Sequence, residues 1–303
     1  MFHGLRIVDF HTHFPYAMGR SSQERRGAKI IEQYADNLRA QWRREWDFSD
    51  PEPGPHDPHQ LAIRWAQEVE RYDLEYLVFV TGGGNDELAS YIAPHQPKLI
   101  GFAHHHIEQP NAAEKLRHAV DVLGFRGLKI IGPHMTRPFE SPDLEPVWEF
   151  CAERELPVLI HFGVLGGGGG VSHHPYMNPL TIHEVARRYP EIPFVIPHFG
   201  AGYWQELLHL AWACPNVYVD SSGSNQWVKW MPYPLDIESL FRKAFETMGP
   251  RRIIFGTDSS WFPRGFAYRY LQDQLRACMY CGMNEAQLQD VFADNAKRLL
   301  KLN

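Results

Sequence analysis

Residues 5–16 read LRIVDFHTHFPY, a β-branched apolar run that ends in a histidine-rich turn. A run that is apolar on both faces is typical of a strand in a parallel sheet covered by helices. An open doubly wound sheet usually carries a glycine-rich phosphate turn after its first strand. Since this strand ends in HTH instead, the sequence favours a (β/α)8 barrel over the doubly wound alternative.

Seven further apolar runs recur along the chain, and a helical pattern precedes most of them. After the first run at 5–11, they lie at 75–81, 98–104, 125–131, 157–162, 193–199, 216–222 and 252–258. Eight strands that alternate with helices over this length are typical of a (β/α)8 (TIM) barrel. We therefore predict one barrel domain over residues 1–303. It should end in a helix over 284–302, where Asn284 and Gln287 resemble an N-cap and its N3 partner.

Two segments interrupt this alternation. Residues 20–58 join a polar helical pattern to the proline-rich DFSDPEPGPHDP. We interpret them as an insertion after strand 1, either a cap over the site or a solvated surface helix with a stiff loop. The segment 165–179 follows strand 5 and holds five consecutive glycines, which cannot pack a core and lose much backbone entropy on ordering. It predicts a mobile loop at the barrel mouth.

Composition bounds the class of protein. The chain is 44% hydrophobic and 22% charged, which is globular composition, and its net charge of −6 disfavours a nucleic-acid binder. It contains no apolar run of transmembrane length and no secretory signal pattern at its start. Four cysteines in 303 residues do not make a disulfide scaffold. We expect a cytoplasmic protein that binds neither nucleic acid nor membrane.

The motif DFHTH, residues 9–13, carries the strongest chemical signal. Asp9, His11 and His13 alternate along the strand, so they are predicted to share one face. Three buried polar groups in a row are hard to satisfy without an ion. Two imidazoles at i and i+2 can hold one divalent metal. The alternative is a pair of hydrogen-bonded histidines at a strand end.

Other apolar strands also end in polar residues. His161 ends strand 5, His198 ends strand 6 and Asp258 ends strand 8. In a barrel the carboxyl ends of all strands meet on one face, so residues distant in sequence converge there. Any one of these residues alone is more often a satisfied core residue. Together with His11 and His13 they predict a metal site.

These motifs resemble the amidohydrolase superfamily, and more narrowly the amidohydrolase-related group that includes aminocarboxymuconate-semialdehyde decarboxylase. The resemblance rests on DFHTH, VLIHFG, VIPHFG, FGTDSSWFP and the closing FADNAKRLLKL. It implies one divalent metal held by His11, His13, His161 and Asp258. Zinc is the expected ion, and manganese, iron or cobalt are alternatives. His198 and Asp258 would be catalytic, because they would take a proton from the metal-activated water or stabilise charge beside it.

Five residues are candidates for substrate binding. Lys129 ends strand 4, where superfamily members with two metals use a carboxylated lysine. It could be such a bridge, a contact to a substrate carboxylate, or a member of a structural ion pair. Arg264 could clamp a substrate carboxylate or form a surface salt bridge. His104, Trp204 and Trp261 could face the pocket, with plain packing as the alternative.

The resemblance predicts a hydrolase that uses a metal-activated water on a small carbonyl or carboxylate substrate. The alternative is a non-oxidative decarboxylase (carboxy-lyase) of an aromatic or semialdehyde acid, which would use the same metal site. A barrel that only binds a ligand is a third hypothesis, against which the complete set of strand-end residues argues. We expect a homodimer, since barrels of this kind often pair and nine tryptophans leave apolar surface to spare.

Overall fold

The computed structural model describes residues 4–15 and 28–302. Within these ranges the strands are β1 (Val8–His13), β2 (Tyr76–Thr81), β3 (Leu99–Gly101), β4 (Leu128–Ile131), β5 (Val158–His161), β6 (Phe194–Ile196), β7 (Val217–Asp220) and β8 (Ile253–Ile254). The α-helices are α1 (Ala28–Trp46), α2 (Pro58–Arg71), α3 (Asn85–Ile92), α4 (Ala112–Asp121), α5 (Glu145–Glu153), α6 (His183–Arg188), α7 (Trp204–Ala213), α8 (Ile237–Met248), α9 (Tyr268–Tyr280), α10 (Glu285–Gln289) and α11 (Asn295–Leu300). None of these helices has the length and apolar character needed to cross a membrane.

The strands are parallel and follow one another in chain order. β1, β2 and β3 form one ladder, and β4 to β8 form a second. Isolated bridges join the ladders at two seams. Ala103 pairs with Leu128 between β3 and β4, and Thr12 pairs with Ser259 between β1 and the segment after β8. This is the strand order of the predicted (β/α)8 barrel.

Apolar side chains pack in two layers on either side of the strands. The outer layer joins the strands to the helices and contains large buried side chains such as Trp65 and Trp148. The inner cluster consists of strand side chains together with residues of the C-terminal segment: Val8, Phe10, Val78, Val80, Ile100, Phe102, Leu159, Val195, Ile254, Ala293, Ala296, Leu299 and Leu300. The interior of the strand layer is therefore a packed core, and polar chemistry is confined to the strand ends.

β1 departs from the regular alternation that the sequence predicts. Its pairing with β2 shifts register between Asp9 and Thr12. The Asp9 carboxylate accepts hydrogen bonds from the backbone N–H groups of Thr257 (3.0 Å) and His11 (3.3 Å). The Asp9 side chain thus holds the loop after β8, and its sharing a face with both histidines stays a prediction. Burial there raises the pKa of Asp9 to about 7.

The C-terminal part of the chain differs from the predicted pattern at two places. β8 covers only Ile253–Ile254, because the next amide, that of Phe255, donates to the Val291 carbonyl outside the ladder. Asp258 therefore lies in a loop after the strand. The predicted cap at Asn284 and Gln287 is confirmed as a reciprocal capping box. The predicted closing helix is interrupted by a π-helical segment, Asp290–Asp294.

The insertion after β1 folds largely as α1, while residues 20–27 of it lie outside the described residues. The glycine run lies against this helix. A bridge between Leu165 and Val171 closes the run into a short hairpin, and a Cβ at Gly168 would collide with the Leu38 side chain. The absence of side chains thus lets the loop backbone approach α1 closely.

Candidate metal centre and active-site cavity

Three predicted ligands converge at the carboxyl ends of the strands. The Nε2 atoms of His11 and His13 are 3.2 Å apart, and Asp258 Oδ1 lies 3.0 Å from the latter and 3.8 Å from the former. One ligand atom from each of the three residues lies within 4.8 Å of the others. The group combines two imidazole nitrogens with one carboxylate oxygen, which is a donor set that zinc and similar divalent ions prefer.

A buried carboxylate sets the tautomer of His11. His11 Nδ1 lies 2.6 Å from Asp220 Oδ2, and Asp220 Oδ1 accepts the backbone N–H of Ser222 at 2.6 Å. The imidazole therefore donates from Nδ1 and keeps a free lone pair on Nε2, as a metal ligand must. Burial lowers the pKa of His11 well below its usual range, so the ring is neutral. The residues present thus fit a bound divalent metal.

Close approach of the backbone supports this arrangement. A Cβ at Gly256 would lie 2.9 Å from His11 Cβ and 3.1 Å from Asp220 Oδ1. Asp258 has a left-handed φ of 58°, which is uncommon for a residue with a side chain and occurs often at functional sites. Burial acts to raise the pKa of Asp258, but the hydrogen bond with His13 and the other nearby histidines outweigh it and hold the pKa well below its usual range.

His161 and His198 lie beside this group. The His198 ring centroid is 5.1 Å from that of His11 and 5.2 Å from that of His161. His161 Nε2 contacts the Val164 carbonyl at 3.2 Å, and His161 is not part of the three-residue group. It stays a predicted ligand. His198 Nδ1 lies 3.0 Å from the Ser222 carbonyl oxygen, and its φ of 56° is also left-handed.

A cavity of about 560 Å³ opens over the ends of β5 to β8. Its wall consists of Tyr34, Leu38, Arg39, Gln41, Trp42 and Glu45 from α1, His161, Val164 and residues 166–168 after β5, His198 and Ala201 after β6, residues 222–227, Lys229 and Trp230 after β7, and Asp258. The insertion helix and the glycine run therefore both border the cavity that contains the predicted catalytic residues. Lys229 pairs with Glu45 across it at 2.8 Å.

Lys129 lies on β4. Its side chain is buried, and burial lowers its pKa to about 8, although the charges of Asp220 and Asp258 oppose that change. Lys129 in turn acts on His11 and His161, whose pKa values its charge lowers further. The structure therefore places Lys129 within electrostatic reach of the metal group.

Arg264 and Trp261 form one unit next to Asp258. The Arg264 guanidinium lies 3.5 Å over the Trp261 ring, and its Nη2 donates to the Asp258 carbonyl at 3.0 Å. Trp42 and Phe48, from the insertion, flank the same guanidinium at 5.9 and 5.3 Å. Neither Arg264 nor Trp261 lines the cavity. Arg264 instead links the insertion to the loop that carries Asp258.

The two other substrate candidates lie away from the larger cavity. Trp204 is buried at the start of α7 and packs edge-on against Phe199, with ring centroids 5.6 Å apart. Both ring nitrogens of His104 lie close to backbone carbonyl oxygens, those of Phe102 (3.0 Å) and Gly83 (2.6 Å). Neither residue contacts the three-residue metal group.

Sequence reasoning missed residues that hold the ligands in place. Asp220 was detectable, because it ends the apolar run of β7 in the same way that Asp258 follows β8. Thr81 at the end of β2, whose hydroxyl lies 2.6 Å from His13 Nδ1, carries no such signal. The same holds for Ser222, whose hydroxyl lies 3.1 Å from His11 Nδ1 and 3.0 Å from His198 Nδ1.

Comparisons with known proteins show which sequences and folds this chain resembles. Protein fluG of Emericella nidulans is 28% identical over 137 residues, which are 42% of this chain and only 15% of that protein. A manganese-bound 5-carboxyvanillate decarboxylase from Novosphingobium aromaticivorans superposes with a TM-score of 0.63 at 16% identity, covering 99% of this chain and 97% of that one.

Two further solved structures share the fold. A probable 2-pyrone-4,6-dicarboxylic acid hydrolase from Acinetobacter baumannii, with citric acid bound, has a TM-score of 0.63 at 14% identity and covers 98% of this chain and 100% of that one. A zinc-bound amidohydrolase from Burkholderia multivorans has a TM-score of 0.65 at 16% identity with the same coverage. These likenesses confirm the predicted TIM barrel. A family model described as amidohydrolase matches residues 8–302, and the chain therefore belongs to the amidohydrolase family.

Proposed function

We propose that this protein is a metal-dependent hydrolase of a small carbonyl compound, and the position of His198 in the cavity beside the metal group carries the proposal. His198 lines the cavity beside the metal group, and its Nδ1 contacts the Ser222 carbonyl at 3.0 Å. A carbonyl oxygen only accepts hydrogen bonds, so Nδ1 donates to it and Nε2 is the ring nitrogen left to face a substrate or water. A ring nitrogen that has no partner within the described residues and lies in a cavity beside a metal group is placed as a general base requires.

His11, His13 and Asp258 would hold one divalent metal, with His161 as a further ligand after rotation away from Val164. When bound, such an ion polarises a carbonyl oxygen and makes a coordinated water acidic. Zinc suits the two-nitrogen donor set, and the zinc and manganese in the two structural neighbours support a divalent ion.

Residues of this chain would transfer the proton and hold the metal ligands in the correct tautomer. His198 Nε2 accepts the proton of the attacking water, and the water oxygen forms a bond to the carbonyl carbon. The acyl–oxygen or acyl–nitrogen bond then breaks, and the leaving group takes the proton back from His198. Asp220 keeps His11 in the ligating tautomer throughout, because its carboxylate holds the proton of His11 on Nδ1.

Non-oxidative decarboxylation is the second candidate, and the walls of the cavity favour it. Trp42, Trp227 and Trp230 all line the cavity, which suits a planar unsaturated acid. The neighbour from Novosphingobium aromaticivorans is named a 5-carboxyvanillate decarboxylase. In this reaction the bond to the carboxyl carbon breaks, CO2 leaves and a proton replaces it on the ring.

A substrate panel separates the two reactions. Protein loaded with one equivalent of zinc or manganese is assayed with small lactones, esters, amides and aromatic acids, and both acid release and CO2 release are measured. Hydrolytic turnover without CO2 is the expected result. CO2 release with no hydrolysis of any panel member would establish the second candidate and overturn the first.

The variant His198→Asn tests the general base directly. We expect the metal content to stay at the wild-type level and kcat to fall about 10²- to 10⁴-fold, because the metal ligands remain and the proton acceptor is lost. His118→Asn, which changes an exposed histidine outside the cavity, is the matched control and should leave kcat unchanged. Wild-type activity in His198→Asn would contradict the assigned role.

A further inference from the structure

The C-terminal half of the insertion packs against residues 258–270, the segment that begins with Asp258. The rings of Trp46 and Phe48 lie edge-on to that of Tyr270, with centroids 4.6 and 5.4 Å away from it. Tyr270 is only 2% exposed, so this contact is buried. Aromatic packing therefore holds the insertion against the segment that carries a predicted metal ligand.

Arg264 contributes a charge to this packing. Its guanidinium carbon lies 3.5 Å from the centroid of the Trp261 ring, and 5.3 and 5.9 Å from those of Phe48 and Trp42 in the insertion. All three distances are within the range of cation–π attraction. Burial lowers the pKa of Arg264 to about 10 although nearby acidic side chains oppose that change, so the group stays cationic at neutral pH. A charged guanidinium is thus packed against rings of both the insertion and the segment after β8.

The same guanidinium holds the main chain of Asp258. Arg264 Nη2 donates to the Asp258 carbonyl at 3.0 Å, while the Asp258 N–H donates to the His11 carbonyl at 2.8 Å. The left-handed φ of Asp258, 58°, is unfavourable for a residue with a side chain, and its surroundings must hold it. The orientation of the Asp258 carboxylate, whose Oδ1 lies 3.0 Å from His13 Nε2, therefore depends on contacts from β1 and from Arg264.

The Nε atom of Arg264 makes this contact depend on the insertion. It is buried, and within residues 4–15 and 28–302 it has no hydrogen-bond partner. A buried donor without an acceptor is costly. Once the insertion moves away, water can solvate Nε, which favours other positions of the guanidinium. We expect the bond to the Asp258 carbonyl to persist only while the insertion is docked.

We propose that Arg264 is a positioning residue that couples docking of the insertion to metal affinity, because it holds Asp258 in a ligating geometry only while Phe48 and Trp42 pack on it. This inference rests on the proposed metal centre, and it applies to hydrolysis and decarboxylation alike. Coupling between two equilibria is reciprocal, so bound metal should favour docking by the same factor by which docking raises the metal affinity. A factor of about ten lies within the usual range.

The zinc affinities of four forms of the full chain test this coupling. Wild type, Phe48→Ala, Arg264→Met and the double variant are each titrated against a chromophoric chelator. Neither residue lines the cavity or belongs to the three-residue metal group. We expect each single variant to lower the affinity about tenfold and the double variant to lower it no further, because both substitutions break the same link. Wild-type affinity in Arg264→Met would overturn the proposal, as would a hundredfold loss in the double variant.

Amide exchange gives a readout that general destabilisation would not move. In the wild type, zinc should slow the exchange of residues 38–48 about tenfold, whereas in Arg264→Met it should leave their exchange unchanged. Helix α4, which follows β3 near the other seam between the ladders, is the internal reference. Equal slowing in α4 and in residues 38–48 would overturn the link, since the metal would then stabilise the whole fold alike.

Arg269→Met is the matched control, because Arg269 lies in the same segment and also contacts the insertion. It pairs with Asp47 at 2.6 Å, and both side chains are largely exposed. The control should keep the wild-type zinc affinity and the wild-type effect of zinc on residues 38–48. An equal loss of affinity in Arg269→Met and Arg264→Met would show that the role assigned to Arg264 is wrong.

Two checks keep the outcomes distinct. Circular dichroism reports folding, and Arg264→Gln replaces Arg264→Met, with the same expectations, if the latter fails to fold. Absence of zinc binding in all four forms would contradict the proposed metal centre and this inference together. Tight zinc binding without any coupling would overturn this inference alone.

Discussion

At the scale of single residues, Asp220 orients His11, a member of the metal group. Its two carboxylate oxygens have different partners, since Oδ2 receives the Nδ1 proton of His11 and Oδ1 receives the N–H of Ser222. Burial raises the pKa of Asp220, while Ser222 and the nearby Lys129 and His198 oppose that rise. The hydrogen bond to Asp220 is thus what leaves the lone pair of His11 Nε2 pointing at His13 and Asp258.

Replacement of Asp220 by asparagine should weaken metal binding. Since the Ser222 N–H still requires an acceptor, the amide oxygen turns towards Ser222 and the amide NH2 towards His11. The proton of His11 then moves to Nε2, which can no longer ligate. We expect metal affinity to fall about 10- to 100-fold, measured by competition with a chromophoric chelator.

Asp294→Asn serves as the control, because Asp294 pairs with Arg6 at the surface. Its metal affinity should equal that of the wild type. An unchanged affinity in Asp220→Asn would show that the tautomer of His11 does not depend on this carboxylate.

Among the elements, α1 and the glycine run together decide how the larger cavity is covered. α1 places Leu38 and Trp42 over the site, and residues 166–168 border the same cavity. A Cβ at Gly168 would collide with the Leu38 side chain, whereas one at Gly167 would meet only Arg39 Cγ at 3.9 Å. Neighbouring glycines in one run thus have different steric requirements.

Alanine substitutions in the run should therefore behave differently. Gly168→Ala should push α1 away from the loop and cost about 1 kcal/mol of local stability, with faster amide exchange and faster proteolysis in α1. Gly167→Ala should match the wild type, because its methyl group makes only an ordinary contact. Equal exchange rates in α1 for the two variants would show that this packing does not hold α1 in place.

In the whole molecule, the metal group lies across one of the two seams between the ladders. His11 and His13 belong to β1 and Asp258 follows β8, so a bound ion would join the two ends of the barrel. Two of the backbone hydrogen bonds that cross this seam are 2.8 Å long. One runs from His13 N to the Ser259 carbonyl, and the other runs from Asp258 N to the His11 carbonyl. The other seam, at Ala103, carries none of the residues His11, His13, His161 and Asp258.

Metal removal should therefore loosen one seam selectively. Free metal at 100 times its Kd should stabilise the fold by about 2.7 kcal/mol, so chelation should lower Tm. Amide exchange of His13 and Asp258 should speed up after chelation, while that of Ala103 and Lys129 at the other seam should not. The same acceleration at both seams would contradict this linkage, and His11→Ala should abolish the metal dependence.

Much of the fold and part of the site follow from local pattern. The order of the strands, the cap at Asn284 and the ligand types at His11, His13 and Asp258 are all readable along the chain, because hydrophobic periodicity and strand-end polarity are local properties. The same strand-end rule, applied to the end of β7, would also have found Asp220. The cytoplasmic location and the homodimer stay predictions.

The sequence by itself determined which residues form parallel strands and which candidate ligands stand at or just after their ends. Only the tertiary structure decided which of these side chains lie next to one another. It bonded Asp9 to the backbone of Thr257, buried Trp204 in the core, and placed Arg264 against the Asp258 carbonyl beside aromatic rings of the insertion. The physical reason is that periodicity sets only the face of an element, whereas contacts across the barrel depend on register, loop path and close packing.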